Sequence, residues 1–191
     1  MLYAPSAPLS AQRQELGLTL GRLFASDDSG AIGRIRLKSG AALQANYAIR
    51  IVQLDALALL GEVHLLASPL RELDTNLANL TRDFATLYVT PGLRVKFAPG
   101  SRISPYFAIG GGYALYEQST MTTGGQPNTA PRHTHRGVID FGGGIDVVLL
   151  HWLGLRLEER DFYSGKPSLN LRTPGSGLHN VVAGGGFVLR F

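Results

Sequence analysis

Hydrophobic and polar residues alternate along this chain with a period of two. From Ala85 to Phe97, one set of alternate positions is mostly leucine and valine, and the positions between them carry threonine, glycine, arginine and lysine. Because successive side chains of a β-strand point to opposite faces, each such segment predicts a strand with one apolar and one polar face. The pattern recurs in about eight segments, near Gln14–Leu23, Ala41–Val52, Ala56–Leu66, Ala85–Phe97, Pro105–Tyr116, Arg136–Val148, Leu153–Tyr163 and His179–Phe191.

The connections between these segments alternate in length. Short connections follow the second, fourth and sixth segments, at Gln53–Asp55, Ala98–Ser104 and Leu149–Trp152. Long polar connections follow the first, third, fifth and seventh segments, at Ala25–Gly40, Ser68–Asp83, Glu117–His135 and Ser164–Leu178. Short turns at one end and long loops at the other are typical of transmembrane barrels. The sequence therefore predicts an all-β fold, an eight-stranded antiparallel up-and-down transmembrane β-barrel.

The composition of the two faces indicates which one is inside. A soluble lipocalin-type barrel would turn its apolar face inward. Here the polar face is built largely of Gly, Ala and Thr with a few charges, whereas a face in contact with water is normally rich in Lys, Glu, Ser and Thr. The interior of an eight-stranded barrel is narrow, and glycines there leave room for long basic side chains. We therefore expect the apolar face to contact lipid.

The charges of the polar face balance, with five acids against six bases, and would pair across the lumen because unpaired charges away from water are costly. The predicted lumenal charge network consists of Glu15, Arg50, Glu62, His64, Arg94, Lys96, Asp140, Asp146, Arg156, Glu158, Arg160 and Arg190. Aromatic residues on the apolar face lie near the predicted strand ends, as in the aromatic girdles of membrane barrels. The predicted membrane-interface aromatics are Phe97, Tyr113, Trp152 and Tyr163.

Composition excludes several other classes of protein. The 191 residues contain 45% hydrophobic and 17% charged residues, enough for one folded domain. The absence of cysteine excludes disulfides and thiolate metal sites. A net charge of +4 without a basic stripe gives no support for nucleic-acid binding. Residues 1–12 are expected to be a disordered tail or a signal-peptide remnant, and residues 13–191 the barrel domain.

Three segments carry a resemblance to a known family: Leu87–Phe97, Ser104–Tyr113 and Gly184–Phe191. On these segments the chain resembles the small OmpA/OmpX-like eight-stranded barrels of the outer membrane of Gram-negative bacteria. The resemblance implies short periplasmic turns, four longer extracellular loops, a monomer, and contact with outer-membrane lipid and lipopolysaccharide. It also implies that Phe187, Leu189 and Phe191 form the terminal signal that the barrel-assembly machinery reads.

Catalytic and metal-binding chemistry has little support in the sequence. Lipid A deacylases of this architecture carry a His-x-Ser-Asn motif, but Phe162 stands where that histidine would precede Ser164, and a serine without a base is not a nucleophile. His133 and His135, predicted to lie in a long loop, are only two ligands of a possible metal site. We expect no cofactor, no metal and no catalytic residue.

The expected function is therefore that of a non-enzymatic outer-membrane barrel whose lumen is plugged by charged side chains and whose loops have a structural or surface-interaction role. The alternatives are a narrow diffusion pore for small solutes, a lipid A-modifying enzyme, and a soluble lipocalin-like ligand carrier. Arg156, Glu158 and Arg160 bear on the first alternative, since they would form either a salt-bridge plug or a charged constriction.

Overall fold

The computed structural model describes residues 13–25, 36–74, 77–78, 80–165 and 177–191. These residues form nine β-strands. In chain order the strands are β1 (Gln14–Ala25), β2 (Arg36–Leu37), β3 (Gly40–Gln53), β4 (Leu57–Asp74), β5 (Asp83–Phe97), β6 (Ile103–Gln118), β7 (His133–Leu150), β8 (Leu153–Ser164) and β9 (Leu178–Arg190). Within the described ranges, no helix has the length and apolar character needed to cross a membrane.

Eight of the strands close into a barrel. Each long strand pairs antiparallel with the next long strand along the chain, and β9 pairs with β1 to complete the ring. The two-residue strand β2 adds to the far end of β4, where Arg36 pairs with Asp74. The predicted eight-stranded antiparallel up-and-down barrel is confirmed. We refer to the end with the three short connections as the short-turn end and to the opposite end as the long-loop end.

Strand β4 is longer than the alternation predicts. The prediction ended this strand near Leu66 and assigned Ser68–Asp83 to a loop, which is wrong for residues 68–74 because they continue β4. A bulge between Ser68 and Arg71 shifts the register with β5, so that Pro69 and Leu70 both lie exposed. The inward positions are then three residues apart instead of two, which ends a strict two-residue pattern while the strand continues. The short strand β2 was not predicted at all.

The start of β7 also departs from the prediction. The sequence predicts a loop that ends at His135, but His133 and His135 both belong to β7, where they pair with Glu117 and Leu115 of β6. The two histidines are exposed. This segment is polar on both faces, so the alternation of apolar and polar residues does not predict a strand there. The strand forms because the barrel wall extends beyond its apolar part.

The apolar face of the barrel points outward. Leu20 and Leu157 are 70% and 64% exposed on the exterior. Arg94 of β5 and Asp146 of β7 point to the inner face of the sheet, where both are fully buried. An exterior of leucine around an interior of charge is the arrangement of a membrane barrel. It is the reverse of a soluble barrel that carries an apolar ligand.

Inward-facing glycines permit the tight curvature of this wall. A Cβ atom on Gly92 would collide with the carbonyl oxygen of Ile109 on the neighbouring strand, and one on Gly186 would collide with that of Leu18. Other glycines make room for the interior side chains, since a Cβ on Gly110 would collide with the Asp140 carboxylate. Glycine is therefore required on this face by packing, which explains why a strand-weakening residue is so frequent here.

Candidate functional site

The interior of the barrel near the short-turn end is held together by Asp146 and Glu15. Arg156 binds Asp146 through two parallel hydrogen bonds, from Nε to Oδ1 (2.7 Å) and from Nη2 to Oδ2 (2.9 Å). Lys96 lies 2.7 Å from the same Asp146 carboxylate and also contacts Glu15. Arg190 lies 3.5 Å from Asp146 and 3.7 Å from Glu15. Two buried carboxylates thus hold three buried cations.

A second group of charges lies further into the lumen, around Arg160. Its guanidinium donates from Nη1 to Asp140 (2.6 Å), contacts Glu62 through Nη2, and has Nε 3.2 Å from Glu158. All four residues are buried. Because Arg160 holds three carboxylates at once, it neutralises only part of their charge and requires a further cation nearby.

Arg94 supplies that cation and joins the two groups. It forms an ion pair with Glu62, lies 4.0 Å from Glu158, and reaches Glu15 of the first group at 3.5 Å. The ring of Tyr106 lies under its guanidinium at 4.4 Å, and the Tyr106 hydroxyl donates to Glu158 at 2.6 Å. Cation–π contact and a charge-assisted hydrogen bond both favour a fixed arrangement of these side chains.

The structure brings ten of the twelve predicted network residues into one connected set of ion pairs, which we call the ion-pair set. It contains Glu15, Glu62, Asp140, Asp146, Glu158, Arg94, Lys96, Arg156, Arg160 and Arg190. These five acids and five bases balance in charge. The small cavity beside the set, at the short-turn end, has a volume of about 10 Å³, which is room for about one water molecule.

The other two predicted network residues, Arg50 and His64, lie differently. Arg50 is only half-buried at the short-turn end and bonds to Gln53 of its own strand. His64 is buried, with Nε2 3.1 Å from the Gln44 side-chain oxygen and Nδ1 3.8 Å from Glu62. Arg50 is therefore outside the ion-pair set, and His64 borders it.

The outer half of the lumen is filled by an aromatic cluster of Phe84, Tyr88, Tyr116 and Phe162. Tyr88 stacks on Phe162 with ring centroids 5.1 Å apart and meets Tyr116 edge to face at 6.0 Å. The two tyrosine hydroxyls bond to each other at 2.9 Å. This cluster was not predicted as a feature, although its members occupy the inward positions of their strands. Large aromatics on a glycine-rich face were the signal that could have found it.

Ser164, the serine compared above with the deacylase motif, also lies in the interior of the barrel. It is the last residue of β8, is buried, and bonds to the Tyr116 hydroxyl at 2.5 Å. Its side chain therefore faces the aromatic cluster and away from the lipid. His135 packs against the Tyr113 ring on the exterior, with centroids 5.7 Å apart. Among the described residues, no group of three or more His, Asp or Glu side chains could hold a metal ion.

The predicted interface and assembly residues lie on the exterior. Phe97 and Trp152 are exposed near the short-turn end, and Tyr113 and Tyr163 lie towards the long-loop end. Phe187 and Phe191 are also exposed, and Leu189 lies between them on the outward face of β9. Their proposed roles at the membrane interface and in assembly remain predictions.

Comparison with solved structures identifies the same fold in bacterial proteins. The chain is similar to Neisserial surface protein A, with 12% identity and a TM-score of 0.61 over 93% of this chain and 97% of that one. It is similar to the outer membrane protein OprG from Pseudomonas aeruginosa, with 14% identity and a TM-score of 0.61 over 94% and 96% of the two chains. The outer membrane enzyme PagL matches with 15% identity and a TM-score of 0.52 over 93% and 99%.

No protein-family model matches the chain. No curated protein matches it either. The structural similarities establish the fold, which is that of the small eight-stranded outer-membrane β-barrels. The expected resemblance is confirmed at the level of fold, and the expected location in the bacterial outer membrane agrees with these comparisons.

Proposed function

We propose that this chain is a non-enzymatic, monomeric integral protein of the outer membrane, with a lumen closed by the ion-pair set and a surface role at its long-loop end. The observation that carries the proposal is the connected set of five acids and five bases across the bore. An eight-stranded barrel has an interior just wide enough to be filled by side chains. Here the charges and the aromatic cluster fill it in succession.

The surface role is supported by order at the long-loop end. Thr81 and Thr122, from two different connections, pair as an isolated β-bridge. The Thr123 amide donates to the Leu80 carbonyl oxygen at 2.8 Å, and the Thr123 hydroxyl donates to that of Leu77 at 2.6 Å. Two connections that brace each other present a preformed surface, which lowers the entropic cost of binding a partner.

Conductance in planar lipid bilayers tests the closed lumen. The refolded protein is expected to produce no steady current steps, and a porin refolded by the same protocol serves as the positive control. Steady conductance from the purified chain would contradict the proposal and favour the narrow diffusion pore.

Mass spectrometry of lipid A tests the non-enzymatic assignment. Lipopolysaccharide incubated with the refolded protein is expected to keep its acyl chains, because Ser164 bonds to Tyr116 in the interior. Loss of an acyl chain with the natural protein, and its retention with S164A, would contradict the assignment. Vesicles that contain lipopolysaccharide test the proposed lipid contacts, since binding of the barrel to lipopolysaccharide can be measured there.

The remaining proposed partners follow from the exterior. Outer-membrane lipid would contact the exposed leucines, and the barrel-assembly machinery would read Phe187, Leu189 and Phe191 during biogenesis. No nucleic acid and no cofactor is proposed.

A further inference from the structure

Arg71 is a buried cation with a different environment from the arginines of the ion-pair set. Its side chain enters the lumen from the long-loop half of β4, where the bulge after Ser68 directs it inward. It is 1% exposed. Among the side chains that the structure describes, to which that of Asp74 does not belong, no carboxylate lies within ion-pair distance of Arg71. Its charge contacts are the ring of Phe84 at 5.1 Å and the side chain of Asn180. A buried charge without a counter-ion is strongly unfavourable.

The hydrogen bonds of Arg71 leave one edge of its guanidinium unused. Nη1 donates to the Asn180 side-chain oxygen at 2.9 Å. Nε and Nη2 are buried and have no hydrogen-bond partner among the described residues. These two N–H groups point in parallel from the same edge, which is the edge that binds a carboxylate through two hydrogen bonds.

The same chain shows how such an arginine is completed. Arg156 donates from Nη1 to the Asn46 side-chain oxygen at 2.6 Å, as Arg71 does to Asn180. It then uses Nε and Nη2 to hold the Asp146 carboxylate. Arg71 and Asn180 thus repeat two parts of a three-part arrangement, and a carboxylate is the third part.

The position of Asn180 is itself fixed, so the unused edge is held in place. Its amide nitrogen donates to the Tyr88 hydroxyl at 3.0 Å, and Tyr88 continues to Tyr116 and Ser164. This orientation directs the Asn180 oxygen at Arg71. The buried apolar cluster of the outer lumen includes Leu23, Leu66, Phe84, Tyr116, Leu178 and Val182, and Phe84 of this cluster contacts the Arg71 guanidinium.

We propose that Arg71 and Asn180 form a binding site for a small organic carboxylate with an apolar or aromatic body. The carboxylate binds the Nε–Nη2 edge of Arg71. The apolar side chains of the outer lumen pack against one another in this structure, and they move apart to admit the body. Entry is from the long-loop end, since the ion-pair set fills the bore on the other side. The site does not depend on the function proposed above, because it requires neither conduction nor catalysis.

Binding of benzoate to the full-length barrel in a non-ionic detergent tests the site, with the ¹⁵N resonance of the Arg71 side-chain Nε as a local readout. Benzoate is expected to shift this resonance and to bind R71M at least about tenfold more weakly than the natural chain, because two charge-assisted hydrogen bonds are lost. Benzamide, which has the same ring without the charge, is expected not to bind. R132Q is the matched control, since it removes an exposed arginine of the same end that pairs with Glu117.

Several results would overturn the proposal. These are an unmoved Arg71 resonance, equal benzoate affinity in R71M, or equal binding of benzamide. Binding of inorganic phosphate in place of benzoate would overturn the carboxylate assignment. Asp74 lies three residues further along β4, and benzoate binding by D74N but not by the natural chain would assign an internal partner to Arg71. If R71M does not fold, the resonance shift and the comparison of benzoate with benzamide on the natural chain decide the question.

Discussion

Replacement of Asp146 by asparagine is expected to destabilise the barrel more than a change at any exposed acid. Asp146 accepts hydrogen bonds from Arg156 at 2.7 and 2.9 Å, and Lys96 and Arg190 lie 2.7 and 3.5 Å from it. Removing one partner of a buried ion pair typically costs about 3–5 kcal/mol, because the other charge stays buried without compensation. Glu15 continues to hold the three cations Lys96, Arg156 and Arg190 in this variant. We therefore expect the free energy of unfolding to fall by about 3 kcal/mol, the lower end of that range.

The assay is reversible urea unfolding of the refolded barrel in lipid vesicles, followed by the fluorescence of Trp152, the single tryptophan. D55N makes the same chemical change in an exposed turn and is expected to stay within about 0.5 kcal/mol of the natural protein. The double variant D146N/K96M also removes Lys96, one of the cations that lose the Asp146 carboxylate. Its free energy of unfolding should be about 1 kcal/mol higher than that of D146N. A free energy of unfolding for D146N equal to that of D55N would refute the reasoning, as would a double variant less stable than D146N.

Three further predictions concern other parts of the barrel. The free energy of unfolding of E158Q should fall by about 1–2 kcal/mol in the same assay. This loss is smaller than that of D146N because Arg160 keeps its contacts with Glu62 and Asp140. A greater loss than in D146N would contradict this prediction. G92A should lose about 1–3 kcal/mol through its collision with a backbone oxygen, whereas G137A, whose added Cβ meets nothing within 4 Å, should not; equal stability of the two variants would be the contrary result. Deletion of Phe191 should reduce membrane insertion in cells while leaving refolding in vitro intact, and normal insertion would count against the terminal signal.

Alternation predicted the strands because the barrel wall separates two environments along its full height. The prediction failed where the separation is interrupted. At Pro69 and Leu70 two successive residues face outward, so the alternation predicts that β4 ends before them, although the strand continues to Asp74. Arg71 was missed for the same reason, since a residue placed in a loop is not considered as an interior side chain.

The interior pairing could be predicted only in part. Alternation identifies which residues face the lumen, but the relative heights of the strands decide which acid meets which base. Arg156 therefore meets Asp146, Glu15 and Asn46, while Arg160, four residues later on the same strand, meets a different set of acids. Arg50, on the correct face, lies too near the short-turn end to join them. Such differences arise from the stagger of the closed sheet, which no single segment encodes.

The orientation of the barrel wall is tested most directly by cysteines at two adjacent positions of β6. Ile109 is 51% exposed on the exterior and Ala108 is 1% exposed in the interior, and the chain has no natural cysteine. In the refolded protein in vesicles, a spin label on I109C should collide readily with oxygen and rarely with a polar nickel complex, because it contacts hydrocarbon. The thiol of A108C should react only after unfolding. Preferred collision of the I109C label with the nickel complex, or rapid labelling of A108C in the folded barrel, would contradict a lipid-facing exterior around a filled, charged interior.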